Sequence, residues 1–179
     1  MGEMMKNKVL DLLPFLLIGD LVLPFLLAPT YRGYNHLMQV MSALGNPIAP
    51  LHILYNIWLI VLGIGILLCN FKLYPVIAEK SSSIAIMLFA IICIYAIGAC
   101  ILSGLFPVGE TKELKTISSK IHGYGSVIGF MFLIFAPLFI GLYFFKSSSR
   151  FWGIFSLICF VFSLLCFAFF IMADKPKFH

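Results

Sequence analysis

A chain of 179 residues of which 62% are hydrophobic and only 11% charged cannot fold as an ordinary water-soluble domain, where about a quarter of residues carry charge. Its net charge of +5 comes from short basic clusters between hydrophobic runs, so it reads as membrane topology and contact with lipid headgroups. No basic face with interleaved aromatics is present, which excludes nucleic acid as a partner.

The first predicted span covers residues 9–29, long enough for a hydrocarbon core of about 30 Å. It exceeds a signal-peptide core, contains Asp20 and lacks a small-residue cleavage pattern, so it reads as a retained helix. Pro14, Gly19 and Pro24 make it irregular. A carboxylate at the centre of such a helix costs about 2.5–3.5 kcal/mol on insertion scales, so Asp20 reads either as a proton or ligand site or as a protonated acid hydrogen-bonded to a neighbouring helix.

Residues 30–50 are too polar to span. Leu37, Met38, Val40, Met41 and Leu44 share one helical face, which predicts a short interfacial or re-entrant helix. Its opposite face carries His36, Gln39 and Ser42, and Gly45 followed by Asn46-Pro47 ends it. The second span, residues 50–69, places His52 and Asn56 four apart on one face. Residues 70–83 read as a basic connection with Lys72 and Lys80, closing in a serine run suited to capping.

The third span covers residues 84–105 and stops at Gly104-Leu-Phe-Pro107. A long polar interval then leads to the fourth span, residues 121–145, with Ser118 or Ser119 as its cap. Gly125 and Gly129 stand at the spacing of a close-packing helix face, and Pro137 predicts a bend. The fifth span, residues 151–173, is almost wholly apolar. Cys69, Cys93, Cys100, Cys159 and Cys166 lie in or beside these runs with no Cys-x-x-Cys or Cys/His spacing, so they read as buried free thiols. The expected architecture is therefore all-α: a polytopic transmembrane bundle of five spans with a short helix after the first, residues 1–179 forming one integral membrane domain.

Five spans put residues 30–50 and 105–120 on one membrane face. Lys6, Lys8, Lys72, Lys80, Lys146 and Arg150 lie on the other, against Arg32, Lys112, Lys115 and Lys120, the C-terminal tail set aside. That balance places the N-terminus in the cytoplasm and the two polar segments outside the cell membrane. His36, Ser42, His52, Asn56, Glu110, His122, Tyr124 and Ser126 then gather at one face.

These pieces have a familiar order: Tyr34-Asn35, Ser42-Ala-Leu-Gly45 with Pro47, Asn56, Gly63, Gly104-Leu-Phe-Pro107, and His122-Gly123 opening a span. In this the chain resembles a family of bacterial multi-pass membrane proteins known only as domain of unknown function nine-nine-eight, over residues 10–173. More remotely it is similar to the Frag/DRAM/Sfk membrane family, some of whose members are linked to lipid-anchor remodelling. The resemblance implies six spans, so it implies a last helix that is either truncated or absent here.

Three chemistries compete with a purely structural reading. A lipid hydrolase or acyl transferase would use Ser42 as nucleophile, His122 as base and Glu110 or Asp20 as the orienting acid, but the Gly-x-Ser-x-Gly elbow is missing. A metal site would draw on His52, His122 and Glu110 or His36. No His-x-x-x-His or His-Glu-x-x-His spacing supports it, so no metal or other cofactor is expected. A binding protein would hold a lipid headgroup or small molecule among Asp20, His36, His52, Asn56, His122 and Tyr124. In the structural reading, Ser42, Asn56 and His122 simply fasten helices together.

Overall fold

Five helices long and apolar enough to cross a membrane carry the fold, in a computed structural model that describes residues 8–108 and 114–173. Helix α1 is Leu13–Leu27, extended by a 3-10 turn at each end to the span Leu10–Thr30. Then follow α2, His52–Ala78, α3, Ser82–Leu105, α4, Ile117–Lys146, and α5, Arg150–Ala173. The five predicted spans and the all-helical class are all present.

Helices α2 and α3 form the centre. Leu62 and Ile66 of α2 pack on Ala96 and Cys100 of α3. At one end of the bundle Ile77 of α2 meets Ile84, Ala85, Leu88 and Ile91 of α3 and Ala136 of α4. At the other, Leu27 of α1 and Tyr55 and Leu59 of α2 close over Leu44. Helix α5 lies against the Ala136–Lys146 half of α4 and turns most of its apolar surface outward. In a bilayer that outward face carries no penalty, because lipid tails are as apolar as the side chains they touch.

The segment after α1 departs from the expected amphipathic helix. Instead of one helical face over residues 37–44, it makes local turns and then a 3-10 helix, Met41–Gly45. Asn35 is the cause: its Oδ1 accepts from the Leu37 N–H (2.8 Å) and its own N–H donates to Gln39 Oε1 (3.0 Å). Such side-chain bonds offer the backbone an alternative to the helical ladder. Leu37 is consequently 92% exposed and only Leu44, at 2%, is driven into the core. Asn46 repeats the device, accepting from the Ile48 N–H before α2 begins.

The second correction concerns residues 70–83, expected as a connection. Helix α2 runs on through Lys72 and Pro75 to Ala78, leaving a link of three residues, 79–81. Asn70, expected outside the span, is 4% exposed and donates to the Phe89 carbonyl of α3 (3.0 Å). An amide buried between helices is satisfied by a partner backbone instead of water, and so continues a span. On the same side Lys146 Nζ donates to Ser81 Oγ (3.0 Å), joining the end of α4 to the start of α3.

Helix α3 contains a π-helical stretch, Ala96–Ile101. Ser103 Oγ donates to the Gly98 carbonyl there (3.4 Å) and pairs with Ser126 Oγ of α4 (2.8 Å). Gly98 and Gly125 face each other so closely that a Cβ on either would fall within 3 Å of the other's carbonyl oxygen. Helix α4 is broken between Leu133 and Ala136, and Pro137 sits in the first turn of its second half, where a missing N–H costs no helical bond.

The cap of α4 is Thr116, before the expected Ser118 or Ser119. Its Oγ1 accepts from the Ser119 N–H while Ser119 Oγ accepts from the Thr116 N–H, a reciprocal capping box. Thr116→Ala should lower stability by about 1 kcal/mol, read as a drop in melting temperature in detergent. Ser118→Ala leaves this box intact, removing only the bond from Ser118 Oγ to the Pro107 carbonyl, and serves as the comparison.

Candidate functional site

The end of α3 and the turn after α1 both approach α2 at Asn56: a Cβ on Gly104 would fall 2.6 Å from the Asn56 carbonyl oxygen. Asn56 Nδ2 of α2 donates to the Gly45 carbonyl (3.0 Å), which fastens the Met41–Gly45 turn to α2. His122, 6% exposed, lies between α4 and the end of α3. Its Nδ1 stands 3.2 Å from the Ser103 carbonyl and 3.0 Å from that of Phe106. Carbonyl oxygens only accept, so Nδ1 carries the proton. These carbonyls belong to the last turn of α3, where a helix has no internal donors left, and His122 therefore caps α3 from a neighbouring helix. Beside it, Ser118 Oγ donates to the Pro107 carbonyl (3.0 Å).

The other expected residues scatter around this end. His52 Nδ1 donates to the Ala49 carbonyl (2.8 Å) and so closes its own turn. His36 pairs through Nδ1 with the Tyr34 hydroxyl (3.2 Å) and lies 4.5 Å, centroid to centroid, from the Phe25 ring. Its Nε2 is buried with no partner among the described residues. Burial pushes the Tyr34 phenol above its ordinary value, which keeps it protonated and able to donate. Tyr124 is 60% exposed on the flank of α4, a position suited to the headgroup belt. Ser42 is half-buried in the turn packed on α1 and α2, and no hydrogen bond among the described residues joins it to His122. Glu110 falls outside the described residues.

Asp20 stands apart from this set. It is half-buried on α1 and turned toward α2, where the Trp58 indole N–H reaches for its carboxyl. The approach falls short of a hydrogen bond, and Trp58 Nε1 is buried without a partner among the described residues. Gly19 makes the approach possible: a Cβ there would overlap the six-membered ring of Trp58, so glycine lets the indole come close against α1. Tyr55, Tyr95 and Cys100 lie within electrostatic range of Asp20. No basic side chain acts on Asp20 among the described residues.

Two of these features were not anticipated from the sequence. Trp58 was not singled out from the apolar run of the second span. Asn70 was lost to a span ended too early, although Phe71, Leu73, Tyr74, Val76 and Ile77 continue the apolar pattern beyond it.

Among the described residues, two of the surface hollows are lined by apolar side chains. One of about 450 Å³ is lined by Ile154, Leu157, Ile158, Val161, Phe162 and Leu165 of α5. The other, about 220 Å³, lies between Ile91 and Ile94 of α3 and Phe132 and Phe135 on the α4 side. Neither includes a candidate residue. Among the described residues no three His, Cys, Asp or Glu side chains converge on a common point.

A family model matches residues 18–177, and its description is a protein of unknown function, DUF998. No curated protein and no solved structure matches the chain.

Proposed function

The chain belongs to the DUF998 family and is a multi-pass membrane protein, and on that premise we propose that it binds a small molecule or a lipid headgroup within the bundle. The observation that carries the reading is how its polar groups are occupied. At the end of the bundle, Asn56, His52 and His122 are engaged with backbone carbonyls, the arrangement of groups that fasten helices. Among the described residues the Asp20 carboxyl has no basic partner, the Trp58 indole N–H is the polar group facing it, and that N–H makes no hydrogen bond. Unfulfilled polar groups inside a membrane are expensive, and a ligand that satisfies them is the economical explanation for their persistence. The hydrolytic alternative through Ser42 and His122 draws less support. Ser42 belongs to the turn on α1 and α2, His122 is occupied at the end of α3, and no bond among the described residues links them.

Native mass spectrometry after gentle detergent extraction tests this. The wild type and His122→Ala should retain a bound small molecule or lipid at a fixed stoichiometry, and Asp20→Asn should lose it. Equal retention by Asp20→Asn, or a wild type that carries only exchangeable bulk lipid, removes the reading.

A further inference from the structure

We propose that the segment between α1 and α2 is a wedge inserted into one leaflet, its tip residues Leu37 and Met38 covered by the acyl chains of the surrounding lipid. This surface is separate from Asp20 and does not depend on what binds there. The first argument is depth. The α1 span ends at Thr30, yet the His36 ring packs on Phe25, with centroids 4.5 Å apart. Five residues separate Phe25 from that end, which is about 7.5 Å along the helix axis. The Phe25 Cβ also tilts toward the helix N-terminus, further into the membrane. The chain therefore folds back along α1 after Thr30 instead of rising away from it. It still lies against the bundle at Leu44, which packs with Leu27, Tyr55 and Leu59.

Leu37 and Met38 follow His36 directly and are 92% and 75% exposed. They continue the outward apolar surface of Phe25 and Leu26, which faces lipid. A depth of this size matches interfacial segments, whose apolar side chains sit about 5–10 Å into the boundary of headgroups and acyl chains. The pair protrudes, and a fluid of acyl chains covers a protruding apolar tip without a matching groove.

The second argument is how the tip satisfies its backbone. The Asn35 N–H donates to Gln39 Oε1 and the Leu37 N–H to Asn35 Oδ1. The N–H groups of Met38 and Gln39 both donate to the Asn35 carbonyl, at 3.1 and 2.9 Å. A loop in water can leave such groups to the solvent, whereas backbone held among lipid needs partners from the protein. Here Asn35 and Gln39 supply them.

The third argument is charge. Between Tyr31 and Leu51 the one charged side chain is Arg32, and no carboxylate occurs between Asp20 and Glu79. The other polar interval at this end carries Glu110, Lys112, Glu113 and Lys115, a composition suited to water. Arg32 is exposed, and its long stem lets the guanidinium reach lipid phosphates while the segment stays below them. Tyr31 and Tyr34 are the residue type of the interfacial belt.

The test is photo-cross-linking of the full chain in lipid nanodiscs, with a diazirine-bearing residue introduced genetically at position 37. Illumination produces a carbene that inserts into whatever lies against it, and mass spectrometry identifies the adduct. Position 21, on the exposed flank of α1, is the lipid reference, and position 80, in the link between α2 and α3, is the water reference. The expected result is acyl-chain adducts at position 37, as at position 21, and several-fold more of them than at position 80. The high exposure of Leu37 means that the label displaces little packing, and the same label at Met38 repeats the reading if the first variant fails to fold. Adducts mainly with water at position 37 or 38 would put the tip outside the bilayer and overturn the proposal. Adducts mainly with peptide would assign the tip to a protein partner or a second copy and overturn it equally. Each of these results leaves the Asp20 reading to its own test.

Discussion

Adding one methyl group at Gly125 should be among the most damaging small changes this chain can suffer. A Cβ there lies 2.8 Å from the Gly98 carbonyl oxygen, and a Cβ at Gly98 lies 2.6 Å from that of Gly125. Both obstacles are backbone, so no rotamer change relieves them and the α3 and α4 axes must part. Separation would also strain the Ser103–Ser126 pair and the approach of Gly129 to Ala99. Gly125→Ala should therefore lose about 3 kcal/mol, measured by thermal or denaturant unfolding in micelles. Gly141→Ala is the internal comparison: its Cβ meets the Gly153 carbonyl at 3.2 Å, and a shift of a few tenths of an ångström accommodates it. If the two variants unfold alike, the Gly98–Gly125 contact is not what holds α3 to α4.

Removing the His122 imidazole should have the next largest effect. Alanine takes the Nδ1 donor from the Ser103 and Phe106 carbonyls and opens a void at a site only 6% exposed. Two buried acceptors without donors and the lost packing together cost about 2–4 kcal/mol. The resulting fall in melting temperature should be accompanied by faster amide exchange in the last turn of α3, since that turn loses its cap. His122→Asn, which returns an N–H donor in a smaller side chain, should recover part of the loss. A His122→Ala protein that melts like the wild type would mean the imidazole holds nothing. Binding at Asp20 should survive the substitution, since the two residues lie on α1 and α4, on either side of the α2–α3 centre.

The sequence was most legible where one strong term decides the outcome. Runs of apolar residues long enough to cross a bilayer identify the five spans, because a membrane leaves the backbone only the helix to satisfy itself. Gly125 and Gly129 announced a close helix contact, and Pro137 the break in α4. The gathering of Asn56 and His122 at one end of the bundle also followed from the span count alone. It was least legible where weak terms compete. Over residues 37–44 the apolar spacing favours a helix and the Asn35 side chain favours a turn. Two local hydrogen bonds won because nothing buries Leu37 or Met38. At Asn70 polarity argued for the end of a span, and only the Phe89 carbonyl of another helix explains why it is not.

What the chain determined by itself is its class: a five-span membrane protein with a polar end, since hydrophobicity and helix length depend on residues near one another in sequence. What only the tertiary structure decided is the division among its polar residues. His122 and Asn56 are occupied by carbonyls from other segments, while Asp20 and Trp58 face each other across α1 and α2 with no basic side chain beside them among the described residues. That division depends on distances between helices, set by where glycines let backbones approach and where Gly19 leaves room for Trp58. Composition and periodicity carry no record of those distances.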